Sequence, residues 1–489
     1  MIPSILSMAT ALGASVTVSP GDDLSAVTSS LNPGDVVTFS EGVYELEESI
    51  YWEGIGTEEE PILLRAADGV EAVLHSISGG GYIATISNSD WIVMENLVFE
   101  GVVEETTAGY GYYSGPSGLR IADSSNVTVR DCTIRDVWGT GVRLDGNTNN
   151  LTIEHNEIAS SGDGSGIYAG CGDGSCWIQD STITNNLIHD VAYDGINLQR
   201  GSQGVAISHN VIFRTGDDGL ELPDTQGGPQ NHALSNAIWQ TEGVGIYVWG
   251  QALVQNNLVF EIGDHGIYTR DDYDSLHDVQ ISHNTVARTD GYAARLDDWY
   301  DKDGMVFANN ALANPTGYGL RYDDPMSEED GYGYGYGYGY EVGDTENYIR
   351  NNVVTGLVEG FDMLIRPDFV IEGGGAGDFV DMDNFDFYPT SSSLLRDQGD
   401  PDGNAYIPPT DFNGAPRDGA TPDVGAYAYS GSENPGWVVA EGFKDVDALS
   451  LLGQGGVSTG CCGSDKSSGS QALLLGPLLA LGLLARRRS

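Results

Sequence analysis

Asp194, Asp217 and Asp218 all lie beside glycines, at the starts of short apolar segments: Asp194 before Gly195, and Asp217-Asp218 between Gly216 and Gly219. His265 holds the same place before Gly266, with Asp264 next to it. Carboxyl groups brought close together push one pKa upward, which leaves a protonated acid beside an ionised base. Cleavage of a glycosidic bond uses such a pair. One residue into each apolar segment stands a second series, Arg120, Arg143, Tyr168, Asn197, Glu221, Tyr247, Tyr268, Arg295 and Arg321. Arginine forks onto carboxylates and hydroxyls, and tyrosine offers a flat apolar face with a polar tip. The catalytic candidates are therefore Asp194, Asp217, Asp218, His265 and Arg295. The substrate-binding candidates are Arg143, Tyr168, Asn197, Glu221, Tyr247, Tyr268, Arg270 and Arg321. The plainer alternative is a solvated sheet face on which Tyr and Arg are tolerated, preceded by ordinary Asp-Gly turns.

These residues can cooperate only if the chain stacks them, and a repeat supplies the means. One pattern recurs: apolar, any, apolar, any two, Asn, any, apolar. Val205, Ile207, Asn210 and Ile212 carry it, as do Leu151, Ile153, Asn156 and Ile158. Further copies centre on Asn284 and Asn310, and weaker ones on Asn96, Asn186, Asn236, Asn257 and Asn352, with Cys132 replacing the Asn once. From Asn156 to Asn310 the steps are 30, 24, 26, 21, 27 and 26 residues. Between the copies lie glycine-led segments such as Gly195-Ile196-Asn197-Leu198 and Gly245-Ile246-Tyr247-Val248. Each repeat thus holds at least two short segments of period two, and no 3.6-residue pattern lies between them. The fold class expected is all-β: a right-handed parallel β-helix, a solenoid, with an N-terminal cap helix over Asp22 to Leu31. Stacked coils would bring successive Asn side chains to about 4.8 Å, close enough for a hydrogen-bonded ladder. Asp194 and Asp218 would then lie about 5 Å apart at the backbone.

The domain reading is a signal-peptide-like segment over 1–14, an N-terminal cap and first coils over 15–88, and β-helix repeats over 89–365. A Gly-Tyr-rich loop, 326–345, interrupts the repeats; a closing module (366–430), a linker (431–460) and a sorting tail (461–489) follow. Five Gly-Tyr pairs from Gly331 to Tyr340 cannot pack a core and read as a surface loop. Cys171 and Cys176 bracket a Gly-Asp-Gly-Ser loop and could pair in an exported chain, whereas Cys132 reads as a buried thiol.

The chain has 489 residues, 68 of them glycine, and a net charge of -51. Such a field repels nucleic acid and anionic membrane and suits a soluble extracellular protein. Polysaccharide is the partner expected. No cofactor is indicated with certainty; calcium is the candidate, at the oxygen-rich loop from Asp297 to Asp301 or at Asp271, Asp272 and Asp274. At the C-terminus, Cys461-Cys462 and a polar spacer precede an apolar run from Ala472 to Ala485, and Arg486 to Arg488 follow. This order resembles the MYXO-CTERM class of bacterial sorting tails. The resemblance implies processing at Cys461 or Cys462 and attachment to the cell envelope, hence a secreted or surface-anchored protein of the bacterial outer envelope.

Three further resemblances bear on function. The stretch from Pro33-Gly34-Asp35-Val36-Val37 through Pro61-Ile62-Leu63-Leu64-Arg65 resembles the N-terminal portion of pectin-lyase-fold proteins of the chondroitinase B and alginate lyase type. Asp411-Phe412-Asn413-Gly414, Arg417 and Asp423-Val424-Gly425-Ala426-Tyr427 resemble the choice-of-anchor Q module, although Ala428 stands where that family has Glu. Asp194-Gly195, Gly216-Asp217-Asp218-Gly219 and Gly243-Val244-Gly245 resemble the polygalacturonase pattern, with Val244 in place of that family's histidine. The hydrolase resemblance implies roles for Asp194, Asp217 and Asp218. A lyase would instead need Arg295 and Arg321 to neutralise a uronate carboxylate, and the lysine motif of the chondroitinase B type is absent. The expected function is extracellular polysaccharide degradation, by hydrolysis or by elimination, along a β-helix groove. The alternative is non-catalytic glycan binding or adhesion.

Overall fold

The computed structural model describes residues 13–24, 28, 31–77, 79–102, 104–105, 113–299, 302–322, 347–360, 370–401, 406–417 and 419–444. Over these the chain is a parallel β-helix. Its strands stack coil on coil into a 15-stranded sheet and a 23-stranded sheet, the second supplying two walls of the solenoid. The short, β-branched, period-two segments leave each coil one choice of parity, apolar inward and polar outward.

Three inward columns form the core, one from each wall. Ile153, Ile183, Ile207, Ala233, Val254, Ile281 and Phe307 stack in consecutive register on the first wall. Ile158, Ile188, Ile212, Ile238, Val259, Val286 and Leu312 do so on the second. Ile196, Leu220, Ile246 and Ile267 belong to the third, the glycine-led wall. All are essentially inaccessible to solvent. Burial of such a side chain stabilises by roughly 1.5–3 kcal/mol.

The asparagine ladder occupies the turn between the first two walls. Asn186 Nδ2 donates to Asn210 Oδ1 at 3.0 Å and to Ile153 O at 2.9 Å, and Asn186 N donates to the same Asn210 oxygen at 2.9 Å. The pattern repeats from Asn156 to Asn352. Cys132 extends it, its amide donating to Asn156 Oδ1 at 3.0 Å. Asn96 does not belong to it. Asn96 is exposed and left-handed, φ 58°, the conformation of His155, Asn185 and His209 just before each ladder residue. The buried Leu97 holds the ladder position in that coil. The unbroken run Trp91-Ile92-Val93-Met94 hid the parity by one residue.

The C-terminal segment runs back along the flank of the solenoid. Outward-facing His189, Phe213, Trp239 and Phe260 stack face to face on the second wall, centroids 4.6–5.5 Å apart. Phe385 and Phe387 cover Phe260. The motif expected in a closing module acts as a clasp here: buried Arg417 donates to Asn256 Oδ1 at 2.9 Å and to the carbonyls of Gly425 and Ala426. Part of the stretch expected as linker is also packed. Lys444, 3% exposed, donates to Ser235 O and Phe412 O, and Phe443 stacks on His155.

Of the expected cap helix, residues 25–27 and 29–30 lie outside the described residues; of its face, Leu24 and Leu31 pack on the core. Residues 1–12 of the signal-like segment expected over 1–14, the Gly-Tyr loop and the tail with Cys461 and Cys462 also lie outside them. Among the described residues no helix is long and apolar enough to cross a membrane. Cys171 and Cys176 are disulfide-bonded, and Cys132 is a buried thiol whose pKa burial pushes up to about 12.

Candidate functional site

The glycine-led wall aligns the second series without a gap. Arg120 pairs with Arg143, Arg143 with Tyr168, Tyr168 with Asn197, and Asn197 with Glu221. Glu221 pairs in turn with Tyr247, Tyr247 with Tyr268, Tyr268 with Arg295, and Arg295 with Arg321. Tyr247 and Tyr268 stack with centroids 5.3 Å apart, Arg143 lies 4.2 Å over the Tyr168 ring, and Arg295 lies 5.2 Å over Tyr268. A second row runs beside the first at the turn preceding each glycine. Backbone hydrogen bonds across successive coils place Asp194, Asp218, Val244 and His265 in that order along it.

Asp194, Asp218 and Glu221 converge, one oxygen of each lying within 4.8 Å of the others. Asp194 is buried and accepts from Ser165 Oγ at 3.1 Å, Asn197 Nδ2 at 2.7 Å and the Asp218 amide at 3.2 Å. Asp218 Oδ1 accepts from the Val244 amide at 2.6 Å. Thus the valine in the histidine's place contributes its backbone, not its side chain. Burial, then the charges of Asp217 and Asp194, push Asp218 up to about 7 against the pull of that amide. Glu221 is pushed up to about 9 by burial and by Asp194, Asp218 and Asp217. Asp217 is exposed, and burial of its carboxyl with the charge of Asp194 raises its pKa as well. Gly243 leaves room for both aspartates: a Cβ there would lie 2.7 Å from Asp217 Oδ1 and closer still to Asp218.

His265 is two coils from Asp218 and outside the trio. Its Nδ1 lies 3.0 Å from the Tyr292 amide and its Nε2 3.3 Å from Arg295. Burial lowers its pKa, and Arg295 and Arg321 add to the effect. Arg295 pairs with Asp297 at 2.7 Å, and Arg270 with Asp272 at 3.0 Å. Arg120 binds Asp145 through two bonds of 2.9 and 3.0 Å, and Arg143 reaches the same carboxylate at 3.4 Å. Sequence reasoning misses these pairings: it names Asp272 and Asp297 only as candidates for calcium, and Asp145 not at all. Asp145 and Asp297 each stand two residues after an outward arginine, so strand parity alone puts them on the same face.

At Asp271 and Asp274, one of the two places named for calcium, an ammonium lies among the carboxylates. Lys302 pairs with Asp271 and, at 3.2 Å, with Asp274, while Asp271 Oδ1 also accepts from the Ser275 amide. Asp194, Asp218 and Glu221 are the one group of three or more potential ligands found within reach of one another among the described residues. They offer oxygen only, a set that suits hard cations and not copper.

Fold and site together define a solenoid with one wall that is aromatic and basic at intervals and acidic at its centre. Residues 62–252 match the family model described as right handed beta helix region, and residues 179–330 match the model described as periplasmic copper-binding protein (NosD). No curated protein matches the chain. Among solved structures it is similar to the A-module of the mannuronan C-5 epimerase AlgE6 of Azotobacter vinelandii, at 14% identity over 70% of this chain and 91% of that one, TM-score 0.50. An alginate lyase from Paenibacillus sp. str. FPU-7 aligns at 18% identity over 63% of this chain and 97% of that one, TM-score 0.44. The copper in the second family's description finds no matching donor set in the trio, and at these identities the structural likeness bears on the fold alone.

Proposed function

We propose that this chain is an exported polysaccharide-degrading enzyme, and that it hydrolyses glycosidic bonds at the acidic centre of the groove. The observation that carries the reading is the convergence of Asp194, Asp218 and Glu221, with Asp218 raised to about 7 and Glu221 to about 9. Such a centre holds an available proton at neutral pH beside ionised carboxylate. Asp218 gives its proton to the departing glycosidic oxygen. Asp217, exposed on the same turn, takes a proton from the attacking water. Glu221, still protonated, donates a hydrogen bond to the bound sugar. Tyr247 and Tyr268, stacked on each other across neighbouring coils, turn apolar ring edges toward the bound sugars. Export agrees with the Cys171–Cys176 disulfide and the acidic surface.

Elimination is less well supported, because Arg295, the residue that would neutralise a uronate, is held by Asp297. Binding without turnover is the second reading, and Val244 in the histidine's place favours it. An assay of reducing ends and of unsaturated, UV-absorbing ends on a panel of polysaccharides separates the three. Asp218→Asn is expected to cut reducing-end release by about 10²–10⁴-fold, the usual worth of a general acid. Unsaturated ends that survive Asp218→Asn and vanish in Arg295→Ala would establish a lyase, and saturable binding without either product an adhesin.

A further inference from the structure

The pairing of the basic side chains narrows the substrate class, on the premise that the groove is the site proposed above. We infer that the polymer bound there is uncharged, and that the groove discriminates against uronates. A groove that holds a polyanion must offer cations free to meet it, at the spacing of the repeating charge. Here the cations are already engaged by the protein's own acids. Asp145 holds both Arg120 and Arg143, Asp297 holds Arg295, and Asp272 holds Arg270. Arg200, at the rim, is tied to Asp224 at 3.0 Å, and Lys302 to Asp271 and Asp274. Arg321 lies in register with Glu359 and hydrogen-bonds Tyr292.

The acids of the groove exceed these pairings. Asp194, Asp217, Asp218 and Asp264 have no arginine or lysine within ion-pairing distance among the described residues. A sugar carboxylate laid over Asp218 would add a like charge to a cluster already strained enough to hold protons. Neutral sugars meet a different surface. The guanidinium carbons of Arg143 and Arg295 lie 4.2 and 5.2 Å over the Tyr168 and Tyr268 rings, so the wall presents rings, amides and shared hydrogen-bonding groups. Asn197, which donates to Asp194 and receives from Gln199, adds a polar contact without charge. Hydroxyl groups, both donor and acceptor, fit this lining.

The test compares matched polymers on the full-length protein: neutral glucan, mannan and galactan, and their C6-carboxylated counterparts of the same linkage. For the backbone bound best, the neutral form is expected to bind about tenfold or more tightly at low ionic strength, with the gap narrowing as salt screens the repulsion. The double variant Asp145→Asn/Asp297→Asn frees Arg120, Arg143 and Arg295 and is expected to gain affinity for the carboxylated form. Equal or tighter binding of the carboxylated polymer by the unaltered protein would overturn the inference while leaving the groove as the site. A folded double variant with no gain would also count against it; if the variant does not fold, the salt series decides. Binding of neither form would remove the groove itself, and this inference with it.

Discussion

At the scale of single residues, Glu221 holds its proton because it has little water and three acidic neighbours, and that has a cost for stability. An unfolded chain would ionise Glu221 in the ordinary carboxylate range, whereas the fold keeps it protonated up to about 9. The contribution is therefore fully present in acid and is lost as pH rises from the ordinary range through about 9. Thermal melts of Glu221→Gln are expected to show a shallower fall in Tm between pH 5 and 8 than the unaltered chain. An identical slope would mean that Glu221 ionises freely. In the hydrolytic mechanism proposed, Asp218 links activity to pH in the same way. With its carboxyl at about 7, turnover that needs its proton is expected to decline above neutrality, giving an alkaline limb near pH 7 in kcat/KM. Val244 is instructive at this scale, because its amide, not its side chain, reaches the acid. No sequence pattern announces a backbone donor.

Among the elements, the ladder does most to keep the coils in step. Asn236 Oδ1 accepts from the Asn210 amide and Nδ2, while its own Nδ2 donates to Ile207 O and Asn257 Oδ1. Asn236→Ala strands those buried groups together and is expected to cost about 2–4 kcal/mol in denaturant unfolding, with the loss of several buried hydrogen bonds. A change within experimental error would show that the turn holds without its rung. Most of this architecture was legible, because the Asn spacing marks each turn and fixes the inward parity of Ile207, Ile212 and their counterparts. The parity slipped only at Asn96, where four apolar residues run together. Outward residues could be listed in order along the wall, but not their partners. Parity puts Asp145 and Asp297 on the face of Arg143 and Arg295, yet the ion pairs depend on side-chain rotamers, and that of Asp145 with Arg120 on the adjacent coil as well. Glu221 was read as a substrate contact for the same reason: its approach to Asp194 and Asp218 depends on χ angles, which spacing does not specify.

For the whole molecule, stacking turns distance along the chain into adjacency along an axis. Arg120 and Arg321 are 201 residues apart in sequence and stand on one line of paired residues. The C-terminal segment covers the aromatic row of a different wall, Phe213, Trp239 and Phe260, so its packing leaves the glycine-led wall uncovered by Phe385 and Phe387. That division leaves the wall of the proposed site free of the C-terminal segment's aromatic packing. The charge of -51 was a poor guide to the groove, because a sum over the chain says nothing about which acids already hold arginines. The most direct test of this arrangement measures binding and turnover of one glycan by three proteins: the unaltered chain, Asp218→Asn, and Tyr247→Ala/Tyr268→Ala. Asp218→Asn should keep its Kd and lose kcat, whereas the tyrosine pair should weaken Kd by about tenfold or more, as loss of two adjoining aromatic contacts implies. If replacing both tyrosines leaves Kd and kcat unchanged, the glycan does not lie along this wall.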